Sequence, residues 1–168
     1  MKAILMAASL LALGVTAAQA QTAQPANWAT LTMTADIAKS ADAAWDRIGG
    51  NDWCGIAKYL DVKSCSIVSG TGEVGSVRSI DTGTAHVIEI AVSRTAHSYT
   101  YAQPFTPIFY HGTMAVERVD ATHSRLVYTL IWNQTAVGDA KAQADALESR
   151  HKRFQAAVDK MAAAANAP

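Results

Sequence analysis

The chain has 168 residues, of which 50% are hydrophobic and 17% are charged, and its 14 basic residues balance its 14 acidic ones. This length suits one domain with a sizeable core. No basic stripe interrupts the balance, which excludes electrostatic binding to nucleic acid or to an anionic membrane as a main function.

The first 20 residues have the pattern of a bacterial export signal. Lys2 forms a short positive region, an apolar run extends from Ile4 to Val15, and Ala18-Gln19-Ala20 matches an A-x-A cleavage site. The apolar run is shorter than the roughly 20 residues that span a bilayer. The sequence therefore predicts a signal peptide over residues 1–20, a periplasmic or secreted protein that starts at Gln21, and no integral membrane segment after cleavage.

The mature chain is predicted to contain a flexible lead-in, residues 21–27, and a single domain, residues 28–165. Alternating apolar residues predict a strand from Trp28 to Ile37. Ser40 is the predicted cap of a short helix that ends at Gly49-Gly50. A second short helix is predicted to open at Asn51-Asp52 and to carry Trp53, Ile56 and Tyr59.

Six more strands and one long helix complete the predicted elements. The strands lie near residues 62–69, 76–81, 85–93, 98–102, 109–119 and 125–132, with turn residues between them. The long helix covers about 139–164. One of its faces carries Leu147, His151, Phe154, Val158 and Met161.

This order predicts an α+β fold in which a curved, seven-stranded antiparallel sheet wraps around the long C-terminal helix. One face of such a sheet needs a cover, and only the long helix is large enough to provide it. A curved sheet that grips one helix often leaves a hollow between them. We therefore expect a cavity between the sheet and the helix.

Cys54 and Cys65 are the only two cysteines. Their spacing fits neither a C-x-x-C redox motif nor the usual zinc motifs, and no histidine is near them in sequence. Because thiols outside the cytoplasm tend to form disulfides, we predict a structural Cys54–Cys65 disulfide; the alternative is two buried free thiols. The five histidines lack metal-ligand spacing, so no metal site is predicted.

Several stretches resemble the START/Bet v 1-like (SRPBCC) superfamily, in particular its polyketide cyclase/dehydrase and lipid-transport branch. They are "SADAAWDRIGGNDWCGIAKYL", "SCSIVSGTGEVGSVRSID", "YHGTMAVERVDATHSRLVYTLIW" and the closing helix, which together extend over about residues 40–164. The resemblance implies a helix-grip fold with a cavity for an apolar or amphipathic small molecule. The G-x-G-x-x-G pattern at Gly70 lies in a hairpin with no βαβ unit, so nucleotide binding is not expected.

Strand alternation predicts the side chains that face the cavity. In "HVIEIAV" we expect Ile88 and Ile90 to face inward with His86, and Glu89 to point away. The orientation of Arg78 is left open, because this arginine could instead pair at the surface. The predicted ligand-binding residues are Tyr59, Arg78, His86, Ile88, Ile90, Tyr99, Tyr101, Tyr110, Met114, Tyr128, Leu130, Trp132, Leu147, His151, Phe154 and Val158.

Three functions remain open from the sequence. The first is an exported carrier of a hydrophobic or aromatic molecule that is lipid-, sterol- or polyketide-like. The alternative is a cofactor-free cyclase, dehydratase or lyase, in which His86 or His151 acts with Tyr99, Tyr101 or Tyr128 as acid and base. The third is a domain whose cavity is filled by side chains. No cofactor is expected, and the sequence leaves the ligand and the oligomeric state open.

Overall fold

The structure, a computed structural model, describes residues 27–168. The predicted signal peptide and most of the predicted lead-in lie outside these residues. The strands are β1 (Trp28–Ile37), β2 (Ser64–Ser69), β3 (Val77–Asp81), β4 (His86–Thr95), β5 (Ser98–Gln103), β6 (Tyr110–Arg118) and β7 (Ser124–Asn133). The helices are α1 (Ala41–Ile48), α2 (Ala140–Asn166), and short 3-10 helices at Gly55–Tyr59 and Gln134–Ala136.

The seven strands form one antiparallel sheet in the order β1-β7-β6-β5-β4-β3-β2. Strands β2 to β7 follow one another as a meander, and β1 returns to pair with β7 over its whole length, from Trp28 opposite Asn133 to Ile37 opposite Ser124. The predicted α+β helix-grip fold is confirmed.

Local capping explains where α1 begins and ends. The Ser40 hydroxyl accepts a hydrogen bond from the Ala43 amide at 3.4 Å, as an N-cap serine does. Gly49 ends the helix with a φ of 79°, a conformation that glycine adopts without strain. The second short helix begins at Gly55 rather than at Asn51, so Trp53 lies in the turn before it.

Cys54 and Cys65 are joined by a disulfide, which confirms the predicted pairing. The bond ties the turn before the first 3-10 helix to strand β2. It therefore holds Trp53 and Ile56, both buried, against the end of the sheet that is farthest from β1.

Helix α2 covers one face of the sheet and packs against β1, β7 and α1. Its C-terminal half carries the residues that are buried in the core, which are Ala157, Val158, Met161, Ala162 and Ala165. No helix within residues 27–168 is long and apolar enough to cross a membrane.

Candidate ligand-binding site

A cavity of about 390 Å³ lies between the sheet and the N-terminal half of α2. This volume is typical of small-molecule sites, which are mostly apolar with a few converging polar groups. The lining residues are Leu60, Val62, Arg78, Ile80, Thr82, Val87, Glu89, Tyr101, Gln103, Ile108, Tyr110, Tyr128, Ala146, Ser149, Arg150, Arg153 and Phe154.

Arg78 and Glu89 form a buried ion pair in the cavity wall. The two residues lie directly opposite each other on β3 and β4, and only 1% and 3% of their surfaces are exposed. Nε of Arg78 donates to Oε2 of Glu89 at 2.8 Å, and Nη2 lies 2.6 Å from the same oxygen. The other carboxylate oxygen of Glu89 accepts from the Gln103 amide at 2.8 Å, so both oxygens are engaged.

Aromatic rings and a backbone carbonyl complete the surroundings of Arg78. Its guanidinium carbon lies 4.8 Å from the ring centroid of Trp53 and 5.3 Å from that of Tyr101, distances typical of cation–π contacts. Nη1 of Arg78 also donates a hydrogen bond to the carbonyl oxygen of Trp53. Burial is the largest single influence and lowers the pKa of the guanidinium, but the charge of Glu89, the neighbouring Tyr99 and Tyr101 and the hydrogen bond to Glu89 together outweigh it, so the pKa is raised. Arg78 is therefore a fixed cation.

Three tyrosine side chains from neighbouring strands reach the cavity. The hydroxyls of Tyr101 and Tyr128 are hydrogen-bonded to each other at 2.8 Å. The hydroxyl of Tyr110 is buried and has no hydrogen-bond partner among the described residues. The Tyr101 ring lies over Gly112 of β6, where an added Cβ would come within 2.3 Å of the ring. Gly112 is thus needed for this arrangement.

Burial raises the pKa of each of these three phenols, with the charge of Glu89 adding to the effect. The tyrosines of the cavity are therefore neutral hydrogen-bond donors at physiological pH. The charges of Arg150 and Arg153 act in the opposite direction on the pKa of Tyr110, but burial is the larger effect.

Two arginines of α2 stand at the opposite wall. The guanidinium carbon of Arg150 lies 4.8 Å from the ring centroid of Trp132, and Arg153 donates to the Leu60 carbonyl at 3.2 Å. Burial lowers the pKa of Arg150. Neither arginine forms an ion pair with a carboxylate within residues 27–168.

The prediction for β4 was wrong about which face points inward. Glu89 is buried and lines the cavity, whereas His86 is exposed and Ile88 and Ile90 lie on the other face of the sheet. The isoleucines made that face look like the core face. Arg78 and Glu89 lie opposite each other on β3 and β4, and opposite residues point to the same face of a sheet. The possible charge pair between Arg78 and Glu89 was therefore a signal in the sequence that both residues face inward.

The prediction for α2 was wrong by a small rotation of the helix. Leu147 and His151 are exposed, and the α2 residues that line the cavity are Ala146, Ser149, Arg150, Arg153 and the predicted Phe154. The missed residues follow the helical spacing equally well. Arginines were not expected to face inward, although their long apolar stems allow it.

The other predicted residues divide into three groups. Arg78, Tyr101, Tyr110, Tyr128 and Phe154 line the cavity. The remaining inward-facing ones lie in the packed core beside it: Tyr99, Met114, Leu130, Trp132 and Val158. Tyr59 packs partly buried against this core and does not line the cavity. None of the five histidines lines it either.

Known proteins share this fold. A scan against models of protein families finds no match, and neither does a search of curated protein sequences. Among solved structures, XoxI from Bacillus cereus is 19% identical with a TM-score of 0.66, covering 81% of this chain and 94% of that one. The aromatase/cyclase ZhuI from Streptomyces sp. R1128 is 18% identical with a TM-score of 0.61, covering 83% and 94%.

A third solved structure, Ara h 8.0201, is 15% identical to this chain with a TM-score of 0.56, covering 82% of it and 99% of the matched chain. Each of these three structures aligns with this chain over nearly its whole length. The chain therefore has the Bet v 1-like helix-grip fold that its sequence resembles. At such low identities the likeness concerns the fold.

Proposed function

We propose that the protein binds a hydrophobic or aromatic small molecule in the cavity between the sheet and α2, and that it carries this molecule outside the cytoplasm. The observation that carries the proposal is the cavity itself, with apolar walls from Val62, Ile80 and Phe154 and a few converging polar groups. This combination is what small-molecule sites have in common.

The polar groups of the cavity favour binding over acid and base chemistry. A general base needs a free acceptor within reach of the substrate. Both oxygens of Glu89 are held by Arg78 and Gln103, and the tyrosines are neutral because their pKa values are raised by burial. The histidines that sequence reasoning assigned to proton transfer, His86 and His151, are exposed outside the cavity.

The export part of the proposal rests on two observations. The first 20 residues have the pattern of a signal peptide, and the Cys54–Cys65 disulfide is of a kind that persists in oxidising compartments. The intact mass of the protein from a periplasmic fraction tests this part. We expect a chain that starts at Gln21 and is lighter by two hydrogens; a full-length dithiol in the cytoplasmic fraction would contradict it.

The binding part is tested by filling the cavity. Ala146 lines the cavity and Ala144, on the same helix, is exposed. We expect Ala146→Trp to fill part of the cavity, so that one apolar group of the bound probe can no longer be buried. This should weaken binding of the neutral fluorescent probe N-phenyl-1-naphthylamine at least about tenfold. Ala144→Trp is the matched control and should leave the affinity unchanged. Equal affinity of both variants would place the probe outside the cavity.

Native mass spectrometry of the protein from the periplasmic extract then identifies the natural ligand. We expect a stoichiometric small molecule that is released unchanged on denaturation. A protein that arrives empty and also fails to bind the neutral probe would contradict the proposed binding function.

A second function, a cofactor-free cyclase or dehydratase, is favoured by the hydrogen-bonded hydroxyls of Tyr101 and Tyr128. One of the two O–H groups is used in this bond, and the other could donate to a carbonyl of a bound polyketide-like molecule and so polarise it. ZhuI, which shares the fold, is described as an aromatase/cyclase. If this is the function, Tyr101→Phe should lower the rate about 10²- to 10⁴-fold. If the protein is a carrier, the same variant should change ligand affinity by about tenfold or less.

A further inference from the structure

The charges in the cavity do not cancel. Arg78 is neutralised by Glu89, which is the only carboxylate among the lining residues of the described chain. Arg150 and Arg153 also line the cavity. Their hydrogen bonds go to uncharged backbone carbonyls, those of Ala146 at 3.3 Å and Leu60 at 3.2 Å. The cavity therefore has an excess of positive charge on its helical wall.

A buried donor without a partner lies in the wall next to this charge. The hydroxyl of Tyr110 makes no hydrogen bond within residues 27–168, although Tyr110 is only 5% exposed. Leaving such a group unpaired is unfavourable because its hydrogen bonds to water are lost on burial, and native proteins rarely leave a buried polar group without a partner. A ligand atom that accepts a hydrogen bond would be that partner.

Trp132 contacts both the unpaired phenol and one of the two arginines. Its ring stacks with that of Tyr110, with centroids 6.4 Å apart and an interplanar angle of 25°. The guanidinium of Arg150 lies over the same indole, 4.8 Å from its centroid. The arginine and the phenol thus flank one aromatic ring, and both reach the cavity.

We propose that the ligand is an amphipathic acid, whose anionic head group accepts from the Tyr110 hydroxyl and pairs with Arg150, while its apolar body occupies the space between the sheet and α2. Arg153, one helical turn from Arg150, adds a second positive charge at the same wall. This inference rests on the proposed function, since it specifies the chemistry of the molecule that the cavity binds. Hydrogen bonds between charged partners are the strong ones.

Matched pairs of probes separate the head group from the body. Decanoate and decan-1-ol share an aliphatic body, and 2-naphthoate and 2-naphthylmethanol share an aromatic one. At constant ionic strength we expect calorimetry to show that the acid of at least one pair binds about tenfold or more tightly than its alcohol. Equal affinity of acid and alcohol in both pairs would overturn this inference and leave the proposed function standing.

Failure of all four molecules and of the neutral fluorescent probe to bind would overturn the proposed function as well. Decyl phosphate and inorganic phosphate distinguish the sources of the anion. If inorganic phosphate binds as tightly as decyl phosphate, the site takes a free anion and the amphipathic ligand is excluded.

Charge-removing variants locate the head group. Arg150→Gln should weaken binding of the preferred acid about tenfold and leave the affinity for its alcohol within about twofold. Lys152→Gln is the matched control, because it removes one positive charge from the same helix at an exposed position. Equal losses in both variants would show a general field effect and would overturn the assignment of Arg150.

Tyr110→Phe distinguishes a binding role from a structural one. The hydroxyl has no hydrogen-bond partner in the described part of the chain, so its removal should leave the melting temperature unchanged or raise it. The same variant should weaken binding of the acid several-fold, and the alcohol much less. A lowered melting temperature together with unchanged preference for the acid would mean that the hydroxyl serves the fold, and would contradict the proposal.

Discussion

The two halves of α2 lie over the same sheet in different surroundings. In the C-terminal half, the residues that face the sheet are small or apolar, such as Ala157, Val158 and Met161, and all three are buried. In the N-terminal half the corresponding residues are Ala146, Arg150 and Arg153, and they line a cavity. One continuous helix thus closes the core at one end and bounds an open space at the other.

The difference follows from the side chains that each half brings to the sheet. Alanines let a helix approach its neighbours closely, and a close-packed core tolerates few voids. Arginines are long and keep their charged ends solvated or paired, so the wall that they form does not collapse onto the sheet. If this explanation is right, the two regions should respond differently to substitution.

The largest effect is expected at the cavity end, in the buried ion pair. Glu89→Gln leaves Arg78 as an uncompensated buried charge, and we expect it to lower the free energy of unfolding by about 3–5 kcal/mol. Urea denaturation followed by tryptophan fluorescence measures the change. Glu117→Gln, at an exposed site, is the control and should lie within about 0.5 kcal/mol of the parent. Equal stability of the two variants would show that Arg78 is solvated.

Two alanine substitutions, one in each half of α2, compare the two halves. Met161 is fully buried, so Met161→Ala should cost about 2–5 kcal/mol of unfolding free energy through the space that it leaves. Leu147 is 39% exposed, so Leu147→Ala should lower the unfolding free energy much less. Thermal unfolding of both variants gives the comparison. Similar losses would contradict the distinction between a packed half and an open half.

A smaller effect is expected where the sheet makes room for Tyr101. Gly112→Ala would place a Cβ within 2.3 Å of the phenol ring, and overpacking of this kind costs about 1–3 kcal/mol. Because the displaced ring lines the cavity, the variant should also weaken probe binding. Ala115→Gly, on the same strand with its side chain on the opposite face, is a control for backbone effects and should leave binding unchanged.

The smallest effect at neutral pH concerns the buried phenols. Burial raises the pKa values of Tyr99, Tyr101, Tyr110 and Tyr128 above their usual 10.0, so the folded state holds these protons more tightly than the unfolded state. Their contribution to stability is complete below about pH 10 and is lost as the pH rises above it. The slope is at most about 1.4 kcal/mol per pH unit for each tyrosine.

Urea denaturation at a series of pH values from about 9 to 11 measures this slope. Tyr110→Phe should reduce it, since one raised phenol is removed. A stability that is independent of pH across this range would show that the tyrosines ionise as freely in the folded protein as in the unfolded one.

The fold was predictable because many weak signals agree. Alternation identified the strands, glycine and proline marked the turns, and the long amphipathic C-terminal segment left one solution for covering the sheet. The Cys54–Cys65 pair was predictable because the chain has two cysteines and their spacing fits neither a redox motif nor a zinc motif.

The site was only partly predictable, because faces were harder to assign than elements. On β4, one face carries Ile88 and Ile90 and the other carries Glu89. Alternation identifies the two faces but does not say which of them points into the core. On α2 a rotation of about one residue exchanges His151 for Arg150. Both errors replaced charged residues of the cavity with apolar or neutral ones.

The sequence by itself therefore determined the order of the elements, the antiparallel sheet and the gripping helix, since these follow from periodicity, turns and composition along the chain. It favoured the Cys54–Cys65 disulfide over two free thiols, and the structure shows the bond. Only the tertiary structure decided that Glu89 is buried and that Arg150 faces the cavity. A buried charge is acceptable only beside its partner. Arg78 and Glu89 become partners only when the β3–β4 hairpin has set its register, and the position of Arg150 depends on how α2 packs against the finished sheet.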